Sequence, residues 1–207
     1  MQDQDHPSRS RPGHSRRDFL RGSGAAAVAA ALANAPGEAL AQDDKPQLFA
    51  RGVNAIKLNV NGKEREVLVE NRMTLLEVLR YQLGLTGAKP VSIDGSSGAS
   101  TVLLDGKPVS ANTTLAVECA GHKVRTVESL GGKKPDAVAL AFTHHDASQC
   151  GFCTPGFVVA VRAFLTKNPK ASEAEIREGL NGNLCRCGTY ADIIHAALEV
   201  VKGGKNG

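Results

Sequence analysis

Cys150 and Cys153 lie in the stretch QCGFCTPGF with C-x2-C spacing, and Cys185 and Cys187 lie in NLCRCGTY with C-x-C spacing. Four soft thiolate donors in two close pairs suit a tetrahedral metal or a four-cysteine iron–sulfur cluster, with each pair clamping one side of the centre. Structural zinc more often uses two C-x2-C knuckles, so C-x-C fits it less well. A Cys185–Cys187 disulfide would close a small, strained ring. The spacing puts a cluster first and leaves zinc, disulfides and unliganded thiols open.

The elements that must position these cysteines are helical. Asp136 to His145 reads as a helix with Val138, Ala141 and Phe142 on one face. Adjacent His144 and His145 project to different sides of a helix, so joint ligation of one metal is not expected, and they read as surface residues or partners of ligands. Thr154-Pro155 opens the next helix with proline in its favoured place, and Phe157, Val158, Val161, Phe164 and Leu165 form its apolar stripe. Ser172-x-x-Glu175 is a capping box for a third helix that stops at Asn181-Gly182. Thr189 opens a fourth, with Ile194, Ala197, Leu198 and Val201 facing inward. Two antiparallel helix pairs bring both cysteine loops to one end.

Upstream, Ile56, Leu58 and Val60 alternate up to the turn signal Asn61-Gly62, and Val67 and Val69 continue beyond it, which predicts a β-hairpin. Thr74-x-x-Glu77 caps a helix carrying Leu75, Leu76, Leu79 and Leu83. Thr101–Leu104, Leu115–Cys119 and Val124–Val127 read as further strands, with Cys119 a buried small hydrophobe. A small mixed sheet crossed by one helix is a β-grasp. The fold class is therefore α+β, an N-terminal β-grasp domain (53–130), a Gly- and Lys-rich hinge (131–135) and a C-terminal four-helix domain (136–202).

Residues 1–41 read as an address. Ser15-Arg16-Arg17-Asp18-Phe19-Leu20 resembles a twin-arginine export signal, followed by the apolar run Ala25–Ala33 and an A-x-A cleavage pattern at Ala39-Leu40-Ala41. That run is far shorter than the roughly 20 residues of a membrane span, and a polar linker (42–52) follows. Periplasmic localisation is the expectation. The net charge of the 207-residue chain is only +4, Trp is absent and aromatics are 4%, which argues against nucleic acid as a partner. No nucleophile–base pair, phosphate loop or dinucleotide fingerprint is present, so the chain has no substrate chemistry of its own.

QCGFCTPG followed by NLCRCGTY resembles the C-terminal cluster domain of the small iron–sulfur subunit of molybdenum hydroxylases, the xanthine dehydrogenase and aldehyde oxidoreductase family, and the resemblance runs from about Ala55 to Val201. It implies a [2Fe–2S] cluster on Cys150, Cys153, Cys185 and Cys187, with Gln149 as a contact to the pterin. It also implies a large partner subunit carrying the molybdenum-pterin cofactor. The N-terminal domain corresponds to the plant-ferredoxin-like domain of that family, whose loop holds a second cluster. Here Ser92, Ser97, Ser100 and Asn112 stand at the four cysteine positions of that loop. Hydroxyl and amide groups are poor cluster ligands, so one cluster is expected rather than two. Asp94 and the surrounding serines form a polar loop that could also hold a small ligand or cation. Electrons would then pass directly to a flavin subunit or a cytochrome. The resemblance thus implies an electron-transfer subunit of an exported aldehyde or N-heterocycle hydroxylase. A non-redox assembly and export escort, holding zinc or no metal at the four cysteines, is the alternative.

Overall fold

The computed structural model of the chain describes residues 49–203. The twin-arginine segment lies outside them. Everything described falls within one compact unit that begins at Leu48.

Two eight-residue strands open it, β1 (Val53–Val60) and β2 (Lys63–Glu70), paired antiparallel from Val60–Lys63 to Val53–Glu70. Asn61 (φ 53°) and Gly62 (φ 77°) both take positive φ, as the tightest hairpin turn requires. Alternation buries Ile56, Leu58, Val60, Val67 and Val69 on one face. Further on, β3 (Thr101–Leu104) and β4 (Lys107–Ser110) form a second hairpin, and β5 (Lys123–Arg125) lies between the two, giving the order β2-β1-β5-β3-β4. The β1/β5 pair is parallel and the others antiparallel.

The Thr74/Glu77 capping box forms as the sequence predicts, the Glu77 carboxylate accepting from the Thr74 N–H at 2.8 Å. One α turn, α1 (Leu75–Glu77), then widens into a π turn over Val78–Gln82. Leu75, Leu76, Val78 and Leu79 share a core with the inward faces of β1, β2, β3 and β5.

The strand expected over Leu115–Cys119 is a 3₁₀ turn over Ala116–Cys119, and the one expected over Val124–Val127 is β5 followed by a second 3₁₀ turn at Val127–Leu130. Leu115 spends its pairing capacity on Thr74: Leu75 N–H donates to Thr114 O and Ala116 N–H to Met73 O. The chain then coils, and the buried Ala116 and Cys119 follow the three-residue period of that turn. Cys119 is fully buried, and desolvation pushes its thiol up to about 11.

Four helices follow: α2 (Ala137–His144), α3 (Thr154–Lys167), α4 (Glu173–Gly179) and α5 (Tyr190–Gly203). Asp136 caps α2 through the Val138 N–H and receives the Arg162 guanidinium from α3, tying the two helices. The Ser172/Glu175 box caps α4. Phe157, Val161, Ile176, Ile193 and Ala197 meet in a second core, which also takes in Leu103 from β3. That shared leucine and the packing of α3 on β3 join the sheet to the helices.

Candidate metal centre

The C-x2-C loop ends where α3 begins, with Cys153 immediately before Thr154, and the C-x-C loop ends where α5 begins. Gly151 (φ 79°) and Gly188 (φ 88°) supply the left-handed turns that each loop needs beside a cysteine. The second loop is pinned from below. The buried Asn183 donates Nδ2–H to Gly98 O at 2.9 Å, and Leu184 N–H donates to Ser97 O at 3.0 Å. Cys150, Cys153 and Cys185 line one cleft with Phe152, Leu184, Arg186 and Tyr190.

The four thiols act on one another both across the two motifs and within them. Cys150 meets Cys187 at the exposed rim, and Cys153 meets Cys185 beneath. The four differ in depth: Cys185 is buried and Cys153 half-buried, while Cys150 and Cys187 are exposed.

Each cross-pair is electrostatically uneven. Burial pushes the Cys153 thiol up to about 12, helped by the neighbouring Cys185. Burial also acts to raise Cys185, but hydrogen bonds from the Thr189 hydroxyl, the Thr189 and Gly188 N–H groups and Cys153 outweigh it and bring it down to about 7. Outside, the Phe152 N–H lowers Cys150. For Cys187 the Cys150 N–H acts to lower the thiol, but its hydrogen bond to the Cys150 side chain, desolvation and the nearby cysteine charges raise it.

This donor set fits a [2Fe–2S] centre. It is all sulfur, with no carboxylate or imidazole among the four, and all five cysteines of the chain are free thiols, so no disulfide competes. Among the described residues no three His, Cys, Asp or Glu side chains converge tightly enough for a single ion. Gln149 is exposed beside Cys150.

Ser92, Ser97, Ser100 and Asn112 are also brought together. Ser92 Oγ–H donates to Ser97 Oγ at 2.8 Å, and Ser97 N–H donates to Ser92 Oγ at 3.0 Å. Asn112 Oδ1 accepts from Ser100 at 2.5 Å and Ser110 at 2.6 Å, while its Nδ2–H group reaches the Ser92 and Ile93 carbonyls. Ser110 is the member that sequence comparison with the cysteine positions does not find. Asp94 is exposed and satisfied locally by Ser96, whose side chain and N–H hold its carboxyl below the usual range.

The histidines converge on one carboxylate rather than projecting apart. His144 Nδ1 and His145 Nε2 both contact Glu199, at 3.0 Å and 2.7 Å. They converge because α2 ends at His144, and His145, as its C-cap, has left the helical path. Sequence reading also missed the roles of Thr189 and Tyr190: Tyr190 Oη accepts from Cys185 N–H at 2.7 Å, and Thr189 Oγ1 lies 3.2 Å from Cys185 Sγ.

Comparison with known proteins follows the same division. Residues 126–198 match the family described as [2Fe-2S] binding domain, and residues 13–33 match the twin-arginine translocation pathway signal sequence. The nicotine 6-hydroxylase small subunit of Paenarthrobacter nicotinovorans is 42% identical over 154 residues, covering 73% of this chain and 93% of the relative. The aldehyde oxidoreductase iron-sulfur-binding subunit PaoA of Escherichia coli K12 is 37% identical over 206 residues, covering 91% and 88%. Among solved structures, one chain of quinoline 2-oxidoreductase from Pseudomonas putida 86 superposes with a TM-score of 0.71 at 42% identity, covering 75% of this chain and 98% of that one. Carrying this sequence pattern on this fold, the chain belongs to the small iron–sulfur subunits of the molybdenum hydroxylases of the xanthine dehydrogenase and aldehyde oxidoreductase family.

Proposed function

We propose that this chain is the electron-transfer subunit of an exported molybdenum-containing hydroxylase that oxidises an aldehyde or an N-heterocycle. Cys150, Cys153, Cys185 and Cys187 hold its single [2Fe–2S] cluster. The observation that carries the reading is the all-sulfur donor set on the two loops that lead into α3 and α5. When bound, the cluster supplies one-electron relay between the molybdenum-pterin cofactor of a large partner subunit and an acceptor.

The chain's own residues do the rest. Asn183 and Leu184 fix the C-x-C loop on the Ser97-Gly98 backbone, and α3 and α5 fix the depths of Cys153 and Cys185. Phe152 and Leu184, both more than half exposed at 54% and 55%, flank Cys150 and give the rim an apolar face for the molybdenum subunit, with Gln149 there to contact the pterin. The sheet portion (53–130) acts as a β-grasp domain without a cluster, joined through residues 131–135 to the helical domain (136–202). The acceptor is a flavin subunit or a periplasmic cytochrome that takes electrons from the one remaining centre. The export signal supports a periplasmic location for the mature protein, and among the described residues no helix is long and apolar enough to cross a membrane.

Iron analysis and EPR of the dithionite-reduced mature protein, isolated with the partners it retains, test this. About two irons per chain with one [2Fe–2S] signal is the expected outcome. About four irons with two signals would mean that the serine loop holds a cluster after all. No iron in anaerobically prepared protein would leave an escort role with zinc or no metal.

A further inference from the structure

Thr189 stands immediately before α5, and its carbonyl accepts the Ile193 N–H at 3.0 Å, so by backbone it is the N-cap of a 14-residue helix. A threonine there ordinarily turns its hydroxyl onto the N–H groups of the first turn. This one does not. Among the described residues its side chain makes a single hydrogen bond, to Cys185 Sγ at 3.2 Å. Both partners are buried, at 2% exposure for Thr189 and 7% for Cys185, so water does not compete for the contact.

The other three cysteines lack this feature. Cys150 and Cys187 are exposed, and no hydroxyl approaches either of them or Cys153. Their donors are backbone N–H groups or one another's thiols. Thr189 is thus the one hydroxyl side chain on any of the four sulfurs among the described residues, and it forgoes its usual capping role to be there.

We propose that Thr189 is a positioning residue that sets the reduction potential of the centre, by donating its hydroxyl hydrogen to the Cys185 sulfur. The proposal rests on the reading of Cys185 as a cluster ligand. Its physics is the preference of a donor for the more negative state. On one-electron reduction the ligating sulfurs gain electron density, so a buried O–H···S bond strengthens and the reduced form is favoured. Burial keeps the dipole unscreened, and the adjacent Gly188 and Thr189 N–H groups act in the same direction.

The test is an EPR-monitored potentiometric titration of the complete, cluster-loaded protein with its partners, for wild type, Thr189→Val, Thr189→Ala and Thr189→Ser. Valine keeps the branched shape and removes the donor. In both hydroxyl-less variants the reduction equilibrium constant is expected to fall about tenfold, a shift of 59 mV to more negative potential for a one-electron couple. Serine keeps the hydroxyl and is expected to stay within about twofold of wild type. Iron per chain stays at the wild-type value in all of them. A fully loaded valine or alanine variant that titrates with wild type would overturn the proposal. So would loss of iron from both hydroxyl-less variants with retention in serine, because the hydroxyl would then serve assembly rather than potential. Absence of iron from the wild-type protein is a different result, and it removes the cluster reading itself.

Discussion

At the scale of single residues, the serine loop is held together by its own side chains. Ser92, Ser97, Ser100, Ser110 and Asn112 satisfy one another, and the Asn112 amide works at both ends, accepting from two hydroxyls and donating to two carbonyls. Ser100 is only 3% exposed, so its partner matters. Asn112→Ala leaves the Ser92 and Ile93 carbonyls without this donor and the Ser100 and Ser110 hydroxyls with only each other at 3.1 Å, and the expected cost is about 1–3 kcal/mol. Urea unfolding of the variant should show a lower midpoint at an unchanged slope, with the EPR signal of the folded protein unaltered. An unchanged midpoint would mean that water substitutes freely for the amide and that the knot is not structural.

At the scale of elements, helix α3 meets the serine loop edge-on. A Cβ on Gly156, in the first turn of α3, would fall on the Gly98 carbonyl oxygen and 3.1 Å from Ala99 Cα, both backbone groups that cannot swing aside. An open helical site would gain up to about 1 kcal/mol from Gly→Ala. Here Gly156→Ala should instead destabilise by about 1–3 kcal/mol, the range for overpacking, and calorimetry reads the sign directly. Local chemistry of this kind separates what the sequence discloses from what it hides. The Asn61-Gly62 turn and the capping boxes at Thr74 and Ser172 were legible because each depends on residues within a few positions of one another. The coil at Ala116–Cys119 was not, because its cause is the pairing of Leu115 with Thr74, far away along the chain. The four cysteines were legible by spacing, but the burial of Cys185 and the exposure of Cys150 and Cys187 depend on how the loops sit once α3 and α5 have packed. His144 and His145 converge on Glu199 for a local reason: the helix ended one residue early, and ideal helical geometry no longer applied.

At the scale of the whole molecule, sheet and helices form one unit in which the serine loop leans directly on the C-x-C loop, through Ser97 O to Leu184 N–H and Gly98 O to Asn183. We propose, from the resemblance, that the serine loop is the backbone of a second-cluster site without its ligands. Its hairpin β3–β4 is intact, and the four positions still face one another closely enough to hydrogen-bond. Ligand chemistry, rather than architecture, is then what separates this chain from a two-cluster subunit. The variant Ser92→Cys, Ser97→Cys, Ser100→Cys and Asn112→Cys tests that separation as a set, since each thiolate alone leaves a cluster short of donors. Reconstituted with iron and sulfide, it should carry about four irons per chain and show a second [2Fe–2S] signal beside the first, where the parent carries about two. A folded quadruple variant that stays at about two irons would mean that the hydroxyl network has drawn the loop in beyond what two irons and two sulfides can reopen, and the loss would then be one of architecture as well as of ligands.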